Sequence, residues 1–316
     1  MGGEIEVNRI RKLSLTKHIE WKSPLGEYLL NSFELQEKPP TRKSIKVEPT
    51  SQRYSVIGHA FDHMINMKLS IDGKLDFFPK SEIVALLGLD HQGKCSVESN
   101  HFWGVLSGKT TPTNCECYRC HHFEKFVEKW NYWKGEIENI PTDFLIEFSL
   151  SLGMLTMYKI TGRYFSEEWY EPPQITSEIS EMRELLRLWE DSFIFPEGKI
   201  TANMKFQYPH FGFADSDLIC GNHIIDWKVK TNPRKKLSED VAQMVGLCVC
   251  ARLNGIEADK FSLYFARHGY QFTVNLEDIL HDGIDSVVNE ISEALDLING
   301  GIIERERNGE VLRFFY

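Results

Sequence analysis

Phe211-Gly212-Phe213-Ala214-Asp215-Ser216-Asp217-Leu218-Ile219-Cys220-Gly221-Asn222-His223-Ile224-Ile225-Asp226-Trp227-Lys228-Val229-Lys230 is the stretch that decides the reading of this chain. Two alternating apolar runs flank Gly221-Asn222, a pair that tolerates positive φ in a tight turn, and this pattern predicts a β-hairpin. With the turn centred there, Asp217 faces Asp226 and Asp215 faces Lys228. Period-two alternation then sets all four on one face of the hairpin.

Like-charged carboxylates facing each other across a ladder repel unless a cation lies between them. Oxygen ligands of this kind suit a hard divalent ion, Mg²⁺ or Mn²⁺, held by a few carboxylates and waters, with the Trp227 carbonyl as an extra ligand. Such an ion activates a water or polarises a phosphate, which points to phosphodiester hydrolysis. Lys228, two residues beyond Asp226, is placed to orient the water and offset the developing charge. The plainer reading of the same spacing is a solvated hairpin carrying an ordinary salt bridge.

An Asp followed across a hairpin by (Asp/Glu)-x-Lys resembles the PD-(D/E)xK nuclease superfamily. Further short motifs are similar to its RecB-like exonuclease branch. Gly212-Phe213-Ala214-Asp215 resembles that branch's Gly-x-x-Asp, and Asp226-Trp227-Lys228 its Asp-x-Lys. Gln243 opens an apolar helix where the branch has Gln-x-x-x-Tyr, although Leu247 stands in place of the Tyr. Gly58-His59-Ala60-Phe61-Asp62 resembles the Gly-x-x-x-His motif, with Asp62 at the His position and His63 one place later. The resemblance implies a restriction-endonuclease-like α/β core, a mixed sheet flanked by helices. It implies catalytic roles for Asp226, Lys228 and Gln243, and a place for Asp62 in the metal shell. For the first hairpin carboxylate it favours Asp215, whereas pairing with Asp226 favours Asp217; both are carried.

The rest of the chain sets the frame. At 316 residues it is long for one simple domain. The expected division is an N-terminal extension over 1–55, a core formed by 56–80 and 195–316, and a mainly helical insertion over 81–194. No apolar run is long enough to cross a bilayer and the charged N-terminus is no signal peptide, so a cytoplasmic protein without membrane contact is expected. A formal net charge of −10 argues against a protein that coats DNA indiscriminately. A local basic path is still present in Lys230, Arg234, Lys235 and Lys236, which leave the hairpin directly and suit backbone phosphates as well as plain solvent.

Helical spacing predicts helices over 23–33, 56–69, 81–89, 121–133, 143–158 and 177–189, with a proline-punctuated polar loop over 36–52 expected to wrap the surface. The helical block is placed to form a cap or arch that restricts access to a strand or an end. Within it, Cys115, Cys117 and Cys120 lie beside His121 and His122, and with Cys95 they could complete a tetrahedral structural Zn²⁺ site; reduced thiols in a polar loop are the alternative. Seven cysteines, an odd number, disfavour a disulfide framework, and Cys220, Cys248 and Cys250 read as small core residues. The aromatics Trp130, Tyr132, Trp133, Tyr164, Trp169, Tyr170 and Trp189 suit base stacking but more simply fill a core.

Beyond the hairpin, Ser238 is expected to cap a helix reaching Leu253, ended by Asn254-Gly255. A strand over 260–267, a turn at His268-Gly269, a strand over 271–275, a helix over 284–298 and a closing strand over 312–316 follow. The function these features imply is a Mg²⁺- or Mn²⁺-dependent deoxyribonuclease, an exonuclease rather than an endonuclease by resemblance alone. Its partners would be DNA, which the residues do not separate from RNA, and a helicase or nucleoprotein complex that delivers it. The competing reading is a catalytically silent nucleic-acid-binding or assembly subunit that keeps the fold.

Overall fold

The computed structural model describes residues 34–35, 38–75, 140–161, 172–207, 214–293 and 296. The helices expected over 23–33, 81–89 and 121–133, the strand over 312–316, and the whole cluster of Cys95, Cys115, Cys117, Cys120, His121 and His122 lie outside the described residues, as do all the aromatics named above except Trp189.

Five strands form one mixed sheet, paired in sequence order. They are β1 (Ile200–Phe206), β2 (Ala214–Cys220), β3 (His223–Lys228), β4 (Lys260–Phe265) and β5 (Tyr270–Asn275). The first three make an antiparallel meander, β4 lies parallel to β3, and β5 returns antiparallel to β4. A parallel neighbour demands a crossover, and a helix over Leu237–Leu253 supplies it. The chain is therefore an α/β protein with a mixed sheet flanked by helices.

The expected hairpin forms as read. Cys220 pairs with His223 across Gly221-Asn222, and Gly221 takes φ +59°. The turn is also tightly covered: a Cβ on Gly198 would meet the Gly221 Cα at 2.7 Å.

The helices are α1 (Tyr54–Ile71), α2 (Thr142–Thr161), α3 (Pro172–Ser192), α4 (Leu237–Leu253), the short α5 (Leu276–Ile279) and α6 (283–293). One face of the sheet packs on α4 and α6, burying Ile219, Ile224, Phe261, Leu263 and Phe272 against Val245, Val249 and Ile291. The other face carries α1, α2 and α3, with Leu218, Ile225, Trp227 and Tyr264 beneath Phe61, Ile65, Leu185 and Trp189. The two described helices of the expected insertion, α2 and α3, thus belong to the core on this face, with α2 packed on α1 and α3. Cys248 and Cys250 are buried core residues, as is Leu247. Helix α4 starts one residue before Ser238. Its N-cap is Lys236, in the left-handed region at φ +62° and without a side-chain cap, while Asn254 and Gly255 end it as expected.

The polar loop expected on the surface is pinned into the core. The Lys46 and Val47 amides donate to the Arg267 carbonyl at 2.9 and 3.2 Å. The Arg267 guanidinium is fully buried, donates to the Val47 carbonyl and pairs with Glu181 of α3. Glu181 in turn accepts the Thr50 amide at 2.6 Å and its hydroxyl at 2.7 Å. One turn earlier on α3, Glu178 pairs with Arg53. Buried charges persist only when paired and hydrogen-bonded, so these two pairs fix the loop's path rather than decorate it.

One irregularity decides how the hairpin carboxylates point. In β1, Ile200 and Ala202 pack under α1 to α3, whereas Met204 and Phe206 pack under α4. In β2, Leu218 and Cys220 lie with the first group and Ala214 with the second. Both strands therefore change faces at the same place. That place is Asn203, with φ +51°, which skips the ladder position opposite Asp217 although Ala202↔Leu218 and Met204↔Ser216 are paired on either side of it. On the other flank, the β2–β3 ladder ends at Leu218↔Ile225. Of the seven residues of β2, Asp217 alone has no ladder partner on either side.

Candidate active site

The break in alternation corrects the expectation that four charged residues share a face. Asp215 pairs through its backbone with Lys205 of β1, not with Lys228, and its side chain is exposed. Lys228 pairs with Phe265 of β4. Because Ile225 and Trp227 turn to the α1 side and Ile224 to the α4 side, Asp226 and Lys228 face α4. Asp217 joins them there.

Asp217 Oδ2 accepts the backbone N–H of Trp227 at 2.9 Å, filling the position that a carbonyl would occupy had the ladder continued. Burial and the facing Asp226 carboxylate push Asp217 up to about 7. The Trp227 amide and Lys228 oppose that shift, and Asp215 adds a smaller push in the same direction. Asp226 is only 7% exposed. Its Oδ2 lies 2.7 Å from Lys228 Nζ and, that ion pair aside, is buried without a hydrogen-bond partner. Lys228 Nζ also donates to Gln243 Oε1 at 3.1 Å, so the glutamine of α4 reaches back to the hairpin as its position near the helix start suggested. Burial works to lower the Lys228 ammonium, but Asp226 and Asp240 outweigh it and hold the group above the ordinary lysine value. It is a cation at every physiological pH.

This donor set fits a hard divalent cation. Asp217, half-buried, and Asp226, buried, are carboxylates that repel each other, and one buried oxygen is short of donors. In a strand the N–H and C=O of one residue point to the same side, so the Trp227 carbonyl faces the same opening as the amide that Asp217 holds. Among the described residues, no group of three or more His, Cys, Asp or Glu side chains gathers to hold a metal. The remaining ligands would be that carbonyl and water.

Asp62 is not gathered with the hairpin carboxylates. It sits on α1, above the opposite face of the sheet, and accepts from Asn66 Nδ2 at 3.1 Å. His63 is buried and bonded to Thr156 Oγ1 at 2.9 Å; burial and the neighbouring His59 push it down to about 3, so it is a neutral imidazole at pH 7.

The basic run is largely engaged within the protein. Lys230 pairs with Asp240, Lys236 with Glu239 at 2.9 Å, and Arg234 Nε donates to the Pro39 carbonyl at 2.8 Å. Lys235, which is exposed, lends its carbonyl to Lys230 at 3.4 Å. Asp240 is the residue that reading the sequence missed. It is 8% exposed, sits in the first turn of α4, and is raised by burial against the pull of Lys228 and Lys230. An acid in the first turn of a helix looks like routine dipole complementation, which hid its reach to two lysines.

In comparisons with family models, with curated proteins and with solved structures, nothing matches the chain.

Proposed function

We propose that the chain is a metal-dependent deoxyribonuclease of the PD-(D/E)xK kind, close to the RecB-like branch, with Asp217, Asp226, Lys228 and Gln243 as its working residues. The observation that carries this reading is the meeting of a half-buried and a buried carboxylate at the opened end of the β2–β3 ladder, with a charged lysine on one of them. Two carboxylates pushed together with no structural pair to neutralise both are costly unless a cation uses them. The second support is coarser: a mixed sheet flanked by helices is the kind of core that the resemblance implies.

Bound Mg²⁺ or Mn²⁺ would supply Lewis-acid polarisation of the scissile phosphate and a more acidic water. The chain's own residues do the rest. Lys228 Nζ, fixed between Asp226 and Gln243, presents its one remaining hydrogen to the attacking water or to a phosphate oxygen, where negative charge grows. Gln243 limits the lysine's freedom so that its ammonium is already aimed. The Trp227 amide holds the Asp217 carboxylate in place. The internally paired basic run leaves little free charge for nucleic acid, which favours delivery of the substrate by a helicase or nucleoprotein partner.

The test is cleavage of labelled linear and circular DNA, single- and double-stranded, with Mg²⁺ or Mn²⁺, comparing the wild type with Lys228→Ala and Asp226→Ala. Cutting by the wild type and loss in both folded variants supports the reading, and cutting of circles separates endonuclease from exonuclease. Variants that cut as well as the wild type sink it. A wild type that binds DNA but cuts none of the substrates points to the silent binding subunit.

A further inference from the structure

We propose that Asn203 is a positioning residue for the carboxylate pair: its left-handed backbone breaks the β1–β2 ladder opposite Asp217, turns Asp215 off the face that Asp217 shares with Asp226, and leaves Asp217 outside both ladders, where its carboxylate takes the Trp227 amide. The inference rests on the nuclease reading and adds to it a residue on a strand that none of the motifs touches.

Three features of the backbone coincide at this position. Asn203 has φ +51°, one of two non-glycine residues with positive φ among the described residues. A side chain in that region is uncommon, and asparagine is among the few that tolerate it. Asn203 and Asp217 are the one position skipped inside an otherwise regular register, with Ala202↔Leu218 and Met204↔Ser216 paired to either side. Lastly, both strands exchange faces there, as the packing of Ala202 against Met204 and of Ala214 against Leu218 shows.

The consequence for the two β2 carboxylates follows from geometry. A β2 strand of unbroken alternation would set Asp215 and Asp217 on one face and carry the ladder to Asn203 on one side and Asp226 on the other. In the structure Asp215 is turned away and exposed. Asp217 is released from both ladders, and its carboxylate takes the Trp227 amide beside Asp226. A backbone conformation of this kind persists only where the surroundings over-determine it, and such positions concentrate at functional sites. Here the surroundings are the two cores: Ala202 must reach one and Met204 the other.

The experiment separates backbone from side chain. Asn203→Gly keeps the left-handed region accessible and removes the amide; Asn203→Val opposes that region; Asn203→Ala opposes it less and serves where the valine variant does not fold. Mn²⁺ binding is measured directly by calorimetry on each folded protein, alongside DNA cleavage and melting temperature. The expected order is wild type and Asn203→Gly within about twofold of each other, with Mn²⁺ affinity about tenfold lower in Asn203→Val and intermediate in Asn203→Ala. Equal affinities throughout, with only melting temperatures moving, reduce Asn203 to a structural residue and overturn the proposal. A loss in Asn203→Gly equal to that in Asn203→Val assigns the effect to the side-chain amide and overturns it too. If the wild type neither binds Mn²⁺ nor cuts, the nuclease reading itself fails and takes this inference with it, an outcome distinct from a wild type that binds while the variants do not differ.

Discussion

Asp217 reaches across the end of the hairpin ladder to accept the Trp227 amide at 2.9 Å, so an acidic side chain closes the β2–β3 pairing where a main-chain carbonyl otherwise would. That bond holds the carboxylate beside Asp226, and loss of solvent together with the neighbouring acid pushes it up to about 7. The sign of the resulting pH dependence is fixed. Between the unfolded value near 4 and about 7, the native protein keeps a proton that the unfolded chain has released, so stability falls as pH rises through that window.

In metal-free buffer, wild-type unfolding free energy therefore declines from pH 4 to pH 7 relative to Asp217→Asn, by on the order of 2 kcal/mol. Urea titrations in EDTA at several pH values measure it. Added Mn²⁺ should recover the loss at pH 7.5 in the wild type and leave Asp217→Asn nearly unchanged, because an ion that binds only the native state stabilises it by mass action. Parallel pH profiles for the two proteins would show that Asp217 is an ordinary surface acid.

In the proposed nuclease Lys228 would serve two ends, neutralising Asp226 and aiming at the substrate, and the two separate by substitution. Lys228→Ala strands a buried carboxylate and is expected to cost about 2 kcal/mol or more without metal. Cleavage should fall about a hundredfold or more even where Mg²⁺ restores the fold. Gln243→Ala keeps the ion pair and removes only the 3.1 Å acceptor, so a drop of about tenfold with little change in melting temperature is predicted. Single-turnover cleavage and thermal melts on the same preparations decide the case. Equal activity losses in the two variants would mean that the lysine is not the acting group.

The hairpin, the crossover helix and the strands around Phe261 and Phe272 are legible in the sequence because each is a local pattern. Gly221-Asn222 announces a tight turn, and Asn254-Gly255 announces a helix end. Strand β1 is equally patterned, with apolar Ile200, Ala202, Met204 and Phe206 alternating with polar residues, yet it carries no motif and the reading passes over it. The face exchange is invisible for a different reason. Nothing in Asn203 as a residue type says that its φ is positive, and the error that follows, four charges on one face, is an alternation rule applied across a break. Arg267 and Glu181 were equally hidden. A lone Arg at the end of an expected strand and a Glu on an amphipathic helix read as surface, and only their meeting at zero exposure shows otherwise.

That buried pair makes its own prediction. Glu181 holds Arg267 together with the amide and hydroxyl of Thr50, so Arg267→Ala or Glu181→Ala each leaves an uncompensated charge and is expected to cost about 3–5 kcal/mol. Arg267→Met combined with Glu181→Leu removes both charges and should be less destabilised than either single change, a non-additivity that a double-mutant cycle in urea reads directly. Simple additivity would show that the two side chains do not share one network.

Helices α1 and α2 approach so closely at Gly153 that a Cβ there would lie 2.6 Å from the Val56 carbonyl oxygen and 2.8 Å from the Ala60 amide nitrogen. Both atoms belong to helical backbone and cannot swing aside, so Gly153→Ala has to part the helices although alanine is the better helix former. The expected result is a loss of about 1–3 kcal/mol in urea unfolding, whereas Gly58→Ala on the same α1, where a Cβ meets nothing within 4 Å, should be neutral or mildly stabilising. Because α1 packs on the Trp227 side of the sheet through Phe61, whose ring stands edge-on to the indole at 6.5 Å, parting the helices should also loosen the hairpin. A weakened Mn²⁺ affinity in Gly153→Ala with Asp217, Asp226 and Lys228 all intact would register that coupling. An unchanged affinity would confine the damage to the helical layer.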